Sequence, residues 1–188
     1  MDAGYHGVLP PYHGHPRVLK YLLERRMIMK FRFDTYCGLY CGSCGVIHSV
    51  ERGTLDEFAQ KWDSTPEKME CHGCKSDHPA EFAQICRIRN CAREKGFDFC
   101  FECEDYHCER LRDFLEAHAA HPAIHLNNLE RIKSAGLENW LSEQEKRWSC
   151  PSCGKKFHFD ETTCIQCGSK LYNLADEADD LKKSDPSP

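Results

Sequence analysis

Fourteen cysteines dominate the chemistry open to this 188-residue chain. Ten fall between positions 37 and 108. Cys37, Cys41 and Cys44 lie in C-G-L-Y-C-G-S-C, Cys71 and Cys74 in C-H-G-C, and Cys86 and Cys91 in C-R-I-R-N-C. Cys100, Cys103 and Cys108 follow in C-F-E-C-E-D-Y-H-C. The last four, Cys150, Cys153, Cys164 and Cys167, make two C-x2-C pairs with ten residues between them. Thiols this dense hold metal, disulfides or both, and all fourteen are candidate metal ligands.

The C-terminal four carry the plainer signal. Gly154 and Gly168 each follow a pair directly and leave backbone room for a turn beneath an ion. Four thiolates at this spacing predict a tetrahedral zinc site of the ribbon type. The intervening K-K-F-H-F alternates as a short strand would. Because the protein supplies all four ligands, no coordination position is left for a substrate, which argues against hydrolysis at this site.

The upstream tract is harder to partition. The C-x3-C-x2-C of Cys37, Cys41 and Cys44 is also the spacing that holds three irons of a four-iron cluster open to S-adenosylmethionine. The alternating strands and helices of the accompanying barrel are missing from the sequence. Adding Cys71 or Cys74 closes the site, with zinc the expected metal and an iron–sulfur cluster the alternative, since thiolates suit both. Cys86, Cys91, Cys100, Cys103 and Cys108 are one thiol more than a second four-ligand site needs. The Cys100–Cys103 pair could exchange disulfides only if a thiolate were stabilised and exposed, and no thioredoxin-like strand–helix context surrounds it. His72, His78 and His107 read as neighbours of the thiols rather than ligands, and His6, His13 and His15 as surface residues.

No catalytic or organic-cofactor site emerges. Glu102, Glu104 and Asp105 form no defined acid–base pair, and no phosphate loop, dinucleotide fingerprint, H-E-x-x-H or nucleophile elbow occurs. Whether the protein is an enzyme is left open.

The elements that must position these thiols are short. Thr54 to Glu57 has the form of a capping box before Leu55, Phe58, Ala59 and Trp62, which predicts a helix ending near Trp62. Ala80–Arg93 predicts one helix with Phe82, Ile85, Cys86 and Arg89 near one face. Phe97, Phe99 and Phe101 read as core packing rather than a base-stacking surface. Helices are also expected over Asp105–Ala119, over Ala123–Ala135 with Gly136 as its C-terminal cap, and over 17–29. Trp140, Leu141 and Trp148 mark a connector.

With 29% charged residues and a mean hydropathy of −0.65, the first module has little apolar surface to bury and needs metal to hold it. A net charge of −5 argues against strong nucleic-acid binding. Basic residues crowd the N-terminal arm (Arg17, Lys20, Arg25, Arg26, Lys30, Arg32), and Asp176, Glu177, Asp179 and Asp180 crowd the tail; both read as solvated faces. No apolar run is long enough to span a membrane, and the first residues lack a secretory pattern. The expectation is a cytoplasmic protein, in a compartment where paired thiols favour metal over disulfides.

The motifs Y-C-G-L-Y-C-G-S-C, C-H-G-C, C-R-I-R-N-C-A-R-E-K-G and F-C-F-E-C-E-D-Y-H-C-E-R-L occur here in order. The tract from about 34 to 115 resembles the small cysteine-rich bacterial and archaeal proteins catalogued as a domain of unknown function. The continuation through 127–141 into the last four cysteines resembles longer members. The resemblance implies metal binding at these cysteines and no reaction or substrate.

The fold expected is a small, mainly α, metal-stabilised cysteine-rich module plus a small β zinc-ribbon module. The divisions are an arm over 1–33, the cysteine-rich module over 34–121, a helical connector over 122–147, the zinc ribbon over 148–172 and an acidic, disordered tail over 173–188. The function expected is a zinc-binding structural or adaptor protein with a protein partner. The alternatives are an iron–sulfur redox or electron-transfer protein, and a nucleic-acid-binding module acting through the ribbon and Lys155, Lys156 or the N-terminal arginines.

Overall fold

Apolar spacing and tight turns, not strands, set this architecture. The computed structural model describes residues 31–118 and 122–184. The helix expected over 17–29 and His6, His13 and His15 lie outside those residues, as does all of the expected arm before Phe31.

After a 3-10 turn at Cys41–Ser43 come α1 (Gly45–Arg52), α2 (Leu55–Lys61) and the single turns α3 (Pro66–Met69) and α4 (Glu81–Gln84). Next are α5 (Arg87–Lys95), a 3-10 turn at Cys100–Glu102 and α6 (Glu109–His118). Then follow α7 (Pro122–Ala135), α8 (Leu137–Arg147) and α9 (Leu174–Ser184). Gly53 ends α1 at φ 70°, and its N–H bonds back to the Ser49 and Val50 carbonyls. Thr54 does stand at the N-terminus of α2, but its side chain makes no capping bond.

The helix expected over Ala80–Arg93 is broken. Cys86 is extended (φ −63°, ψ 120°) and separates α4 from α5. Phe82 and Ile85, expected on the same face as Cys86, are 50% and 73% exposed. The acidic segment expected to be disordered instead contains α9, which packs against α7 and pairs Glu177 with Arg147 at 2.5 Å.

The β zinc-ribbon module is not there. Among the described residues no β-strand occurs, and the region holds only the isolated bridges Ser149↔Lys156 and Thr163↔Lys170. The cause lies in where the donors of K-K-F-H-F go. Phe157 N–H reaches the Trp148 carbonyl, but His158 N–H is taken by the Glu161 carboxylate at 2.9 Å. Phe159 N–H bonds the carbonyl of Ser43, in the first cysteine turn, at 3.1 Å. A chain that spends its donors on a side chain and on a distant turn cannot extend a ladder. The fold is therefore mainly α-helical, with a cysteine cluster able to chelate a metal.

One buried cluster ties early and late segments together: Tyr40, Phe99, Leu129, Ile132, Trp140, Trp148, Cys150, Phe157, Cys164 and Leu171. A polar chain threads it. Asn128 donates to the Gly38 carbonyl at 2.9 Å, and its own oxygen accepts from Trp140 Nε1 at 3.2 Å and Gln144 Nε2 at 3.5 Å. Gln144 in turn accepts from Trp148 Nε1 at 3.2 Å. Gly38, at φ 85°, cannot be replaced: an added Cβ would sit 2.5 Å from the His125 carbonyl oxygen.

Lys75 is a second fixed point. Its side chain is only 4% exposed; Nζ lies 2.8 Å from Asp34 Oδ2 and 3.7 Å from the centre of the Phe99 ring. Burial works to raise the Asp34 carboxyl, but hydrogen bonds from Arg32 and Lys75 outweigh it and hold the group below its ordinary range. Lys75→Met leaves the buried Asp34 carboxylate with Arg32 as its remaining cation and is expected to cost about 1–3 kcal/mol. Urea unfolding of Lys75→Met, Asp34→Asn and the double variant checks this, and the double variant should lose less than the sum of the singles.

Candidate metal centre

Cys150, Cys153, Cys164 and Cys167 converge. Their sulfurs all lie within 4.8 Å of one another, and both Cys150–Cys167 and Cys153–Cys164 stand 3.6 Å apart. A tetrahedral zinc ion with Zn–S near 2.3 Å separates its sulfurs by about 3.8 Å, so the set already has the spread one ion demands.

Each pair is shaped by its own turn. The Cys150 N–H bonds the Lys155 carbonyl at 2.9 Å and the Gly154 N–H the Cys150 carbonyl at 2.8 Å. The second turn repeats this: Cys164 N–H to Ser169 at 2.8 Å, and Gly168 N–H to Cys164 at 2.9 Å. Gly154 and Gly168 take φ 73° and 74°, the left-handed values these closures need. Cys150 and Cys164 belong to the main core, while Cys167 is exposed. The Ser169 hydroxyl and backbone N–H draw the Cys167 thiol below its ordinary value, which favours the thiolate a metal needs.

The ten upstream thiols are sorted in a way the sequence did not reveal. Burial pushes Cys41 well above its ordinary value; its neighbours Cys44, Cys74 and Cys71 add to the rise against a lowering Cys74 N–H. Burial also raises Cys74 to about 12, helped by Cys37 and Cys86. Cys100 is raised to about 12 by burial, with Cys37, Cys108, Cys91 and Cys103 around it. Cys41, Cys44, Cys71 and Cys74 thus share one corner, and Cys91, Cys100, Cys103 and Cys108 another. Cys37 neighbours both groups: it acts on Cys74 and Cys100 and lies in one buried cluster against which Cys74, Cys86, Cys100 and Cys108 pack. Burial that penalises bare thiolates is reversed when a cation sits among them, as metal binding displaces the protons. Among the described residues, however, no upstream group of three or more ligand atoms gathers within 4.8 Å.

The histidines are engaged otherwise. His72 and His78 flank Glu70, at 3.5 Å and 3.7 Å. His125 and His48, which the sequence reading passed over, are buried and bond the carbonyls of Cys37 and Gly42. They fix the turns that carry the cysteines, and no spacing signal points to them. Burial, seconded by Arg52, lowers His48 to about 4, so it stays neutral and keeps its carbonyl contact. Phe99 is core and Phe101 stacks on it at 5.3 Å, as packing requires. Lys156 is paired with Glu145 at 2.6 Å. With no ribbon present, the nucleic-acid reading built on one loses its footing.

No helix among the described residues is long and apolar enough to cross a membrane. No curated protein and no solved structure matches the chain. Residues 33–113, less than half the chain, match the model of a family described as protein of unknown function (DUF3795); the upstream cysteine tract is similar to that family, and the four-thiol centre lies beyond the matched stretch.

Proposed function

We propose that Cys150, Cys153, Cys164 and Cys167 hold one zinc ion whose role is structural, and that the chain acts as a zinc-stabilised adaptor for a protein partner. The observation that carries the reading is the set of four sulfurs within 4.8 Å, with pairs at 3.6 Å, in a site whose ligands all come from the protein. A closed set of four thiolates leaves no position for a substrate, which favours architecture over catalysis. Trp62, Phe82, Ile85 and Ile165 are large apolar side chains left exposed, and they offer contact area to a partner. All fourteen cysteines are free, which fits a reducing, cytoplasmic setting in which thiols stay available to metal.

Metal analysis of the purified chain and of Cys164→Ser tests the reading. One equivalent of zinc should be lost in the variant while any metal of the upstream tract is retained. Equal zinc in both proteins overturns it.

A further inference from the structure

We propose that Cys91, Cys100, Cys103 and Cys108 bind a polynuclear iron–sulfur cluster in the cavity between α5 and α6. The site is separate from the zinc centre, and neither assignment depends on the other.

The four thiols line an open cavity of about 490 Å³. Cys91 is carried by α5, Cys100 opens the 3-10 turn, Cys103 closes it, and Cys108 immediately precedes α6. The Cys108 carbonyl accepts the N–H groups of Leu111 and Arg112. Just before it, His107 takes φ 68°, a left-handed conformation unusual for a residue with a Cβ, and this turns the chain into α6. Rigid elements thus fix all four ligands around one space.

Size decides what fills that space. A single tetrahedral ion requires sulfurs about 3.8 Å apart, a spacing the C-terminal thiols approach. Among the described residues no three of the cavity's ligands lie within 4.8 Å of one another, although Cys37, Cys108, Cys91 and Cys103 all act electrostatically on Cys100. Thiols that are neighbours yet stand too far apart for one ion fit a guest that brings its own iron and sulfide between them. An all-thiolate set is the soft donor set such clusters use.

The walls answer the charge. Four thiolates outweigh the positive charge of an iron–sulfide core, and Arg87, Lys95 and Arg110 line the same cavity. Lys95 Nζ donates to Cys103 Sγ at 3.3 Å, the kind of hydrogen bond to a ligand sulfur that tunes a cluster's potential. The fifth thiol of this sequence group, Cys86, does not line the cavity. It stands at the start of α5, beside Cys74.

The test uses the full chain, treated without oxygen with ferrous iron and sulfide under a thiol reductant. Wild type and Cys86→Ala should take up iron and acid-labile sulfide in near-equal amounts and turn brown. Cys103→Ala should fall to background while keeping its C-terminal zinc, which reports that the chain is still folded. Lys95→Gln, a change at a half-exposed side chain, should retain the cluster but lower its midpoint potential, because a positive donor has left the ligand sulfur. Any of three results overturns the proposal. The first is a wild type that takes up no sulfide. The second is a Cys103→Ala variant that keeps full iron and sulfide while Cys41→Ala loses them, which moves the cluster to the other corner. Should Cys103→Ala not fold, an unchanged potential in Lys95→Gln is the third.

Discussion

Stripping metal from the Cys150–Cys167 centre is expected to unfold the C-terminal part of the main core and not merely to loosen a surface turn. Cys150 and Cys164 are buried in the same cluster as Trp140, Trp148, Phe157 and Leu171. Between Ser149 and Lys170 the backbone has only two isolated bridges, so no sheet remains to hold the segment once the ligands part. Structural zinc contributes about 10–16 kcal/mol in finger peptides. Whole domains are stable by about 5–15 kcal/mol, so losing the ion removes an amount comparable to the total. Trp148 is the natural reporter: its ring meets Phe157 at 5.8 Å, and its Nε1 donates to Gln144. Chelator should shift its emission toward that of a solvated indole, and excess zinc should restore it. Cys164→Ser should show the shifted emission without chelator. Unchanged emission and melting temperature after complete metal removal would mean that the core stands by itself and the ion is incidental.

How far the sequence could be read depended on whether a feature was settled locally. Two C-x2-C pairs, each followed by glycine, specify their own turns, and the four thiols meet as their spacing implied. The strand between them failed because Phe159 N–H is claimed by Ser43, more than a hundred residues earlier, and no local pattern encodes that. The single helix over Ala80–Arg93 failed for a related reason. Phe82 and Ile85 keep helical phase on paper, but Cys86 is held extended beside Cys74 and breaks the run. The grouping of upstream thiols was hidden by Gly38, whose left-handed turn parts Cys37 from Cys41 although only three residues separate them. Buried carbonyl contacts such as His125 to Cys37, and the cation of Lys75 under Phe99, join residues tens of positions apart or pair unlike types. Periodicity has no vocabulary for such contacts.

Trp140→Ala should be the most damaging truncation of a side chain outside the cysteines. Trp140 is fully buried; its ring meets Tyr40 edge-on at 5.8 Å, and its Nε1 donates to Asn128. Removing a buried Trp costs about 3–5 kcal/mol through lost transfer energy and the cavity left behind. Here the loss extends further, because Asn128 is the link between the Gly38 turn of the cysteine tract and Gln144 on α8. Without the indole its oxygen keeps only the longer Gln144 contact, and an under-satisfied buried amide adds about 1–3 kcal/mol. Trp140→Phe separates the two effects: it fills most of the space but gives no donor, so it should lose only the smaller amount. Urea unfolding of the three proteins measures the split, and a Trp140→Ala loss below that of Trp140→Phe would refute it. The same core encloses Cys150 and Cys164, so Trp140→Ala should also release zinc to a chelator faster than wild type. Unfolding and metal release moving together would place the metal centre and the cysteine tract in one cooperative unit, coupled through Asn128 and Trp140.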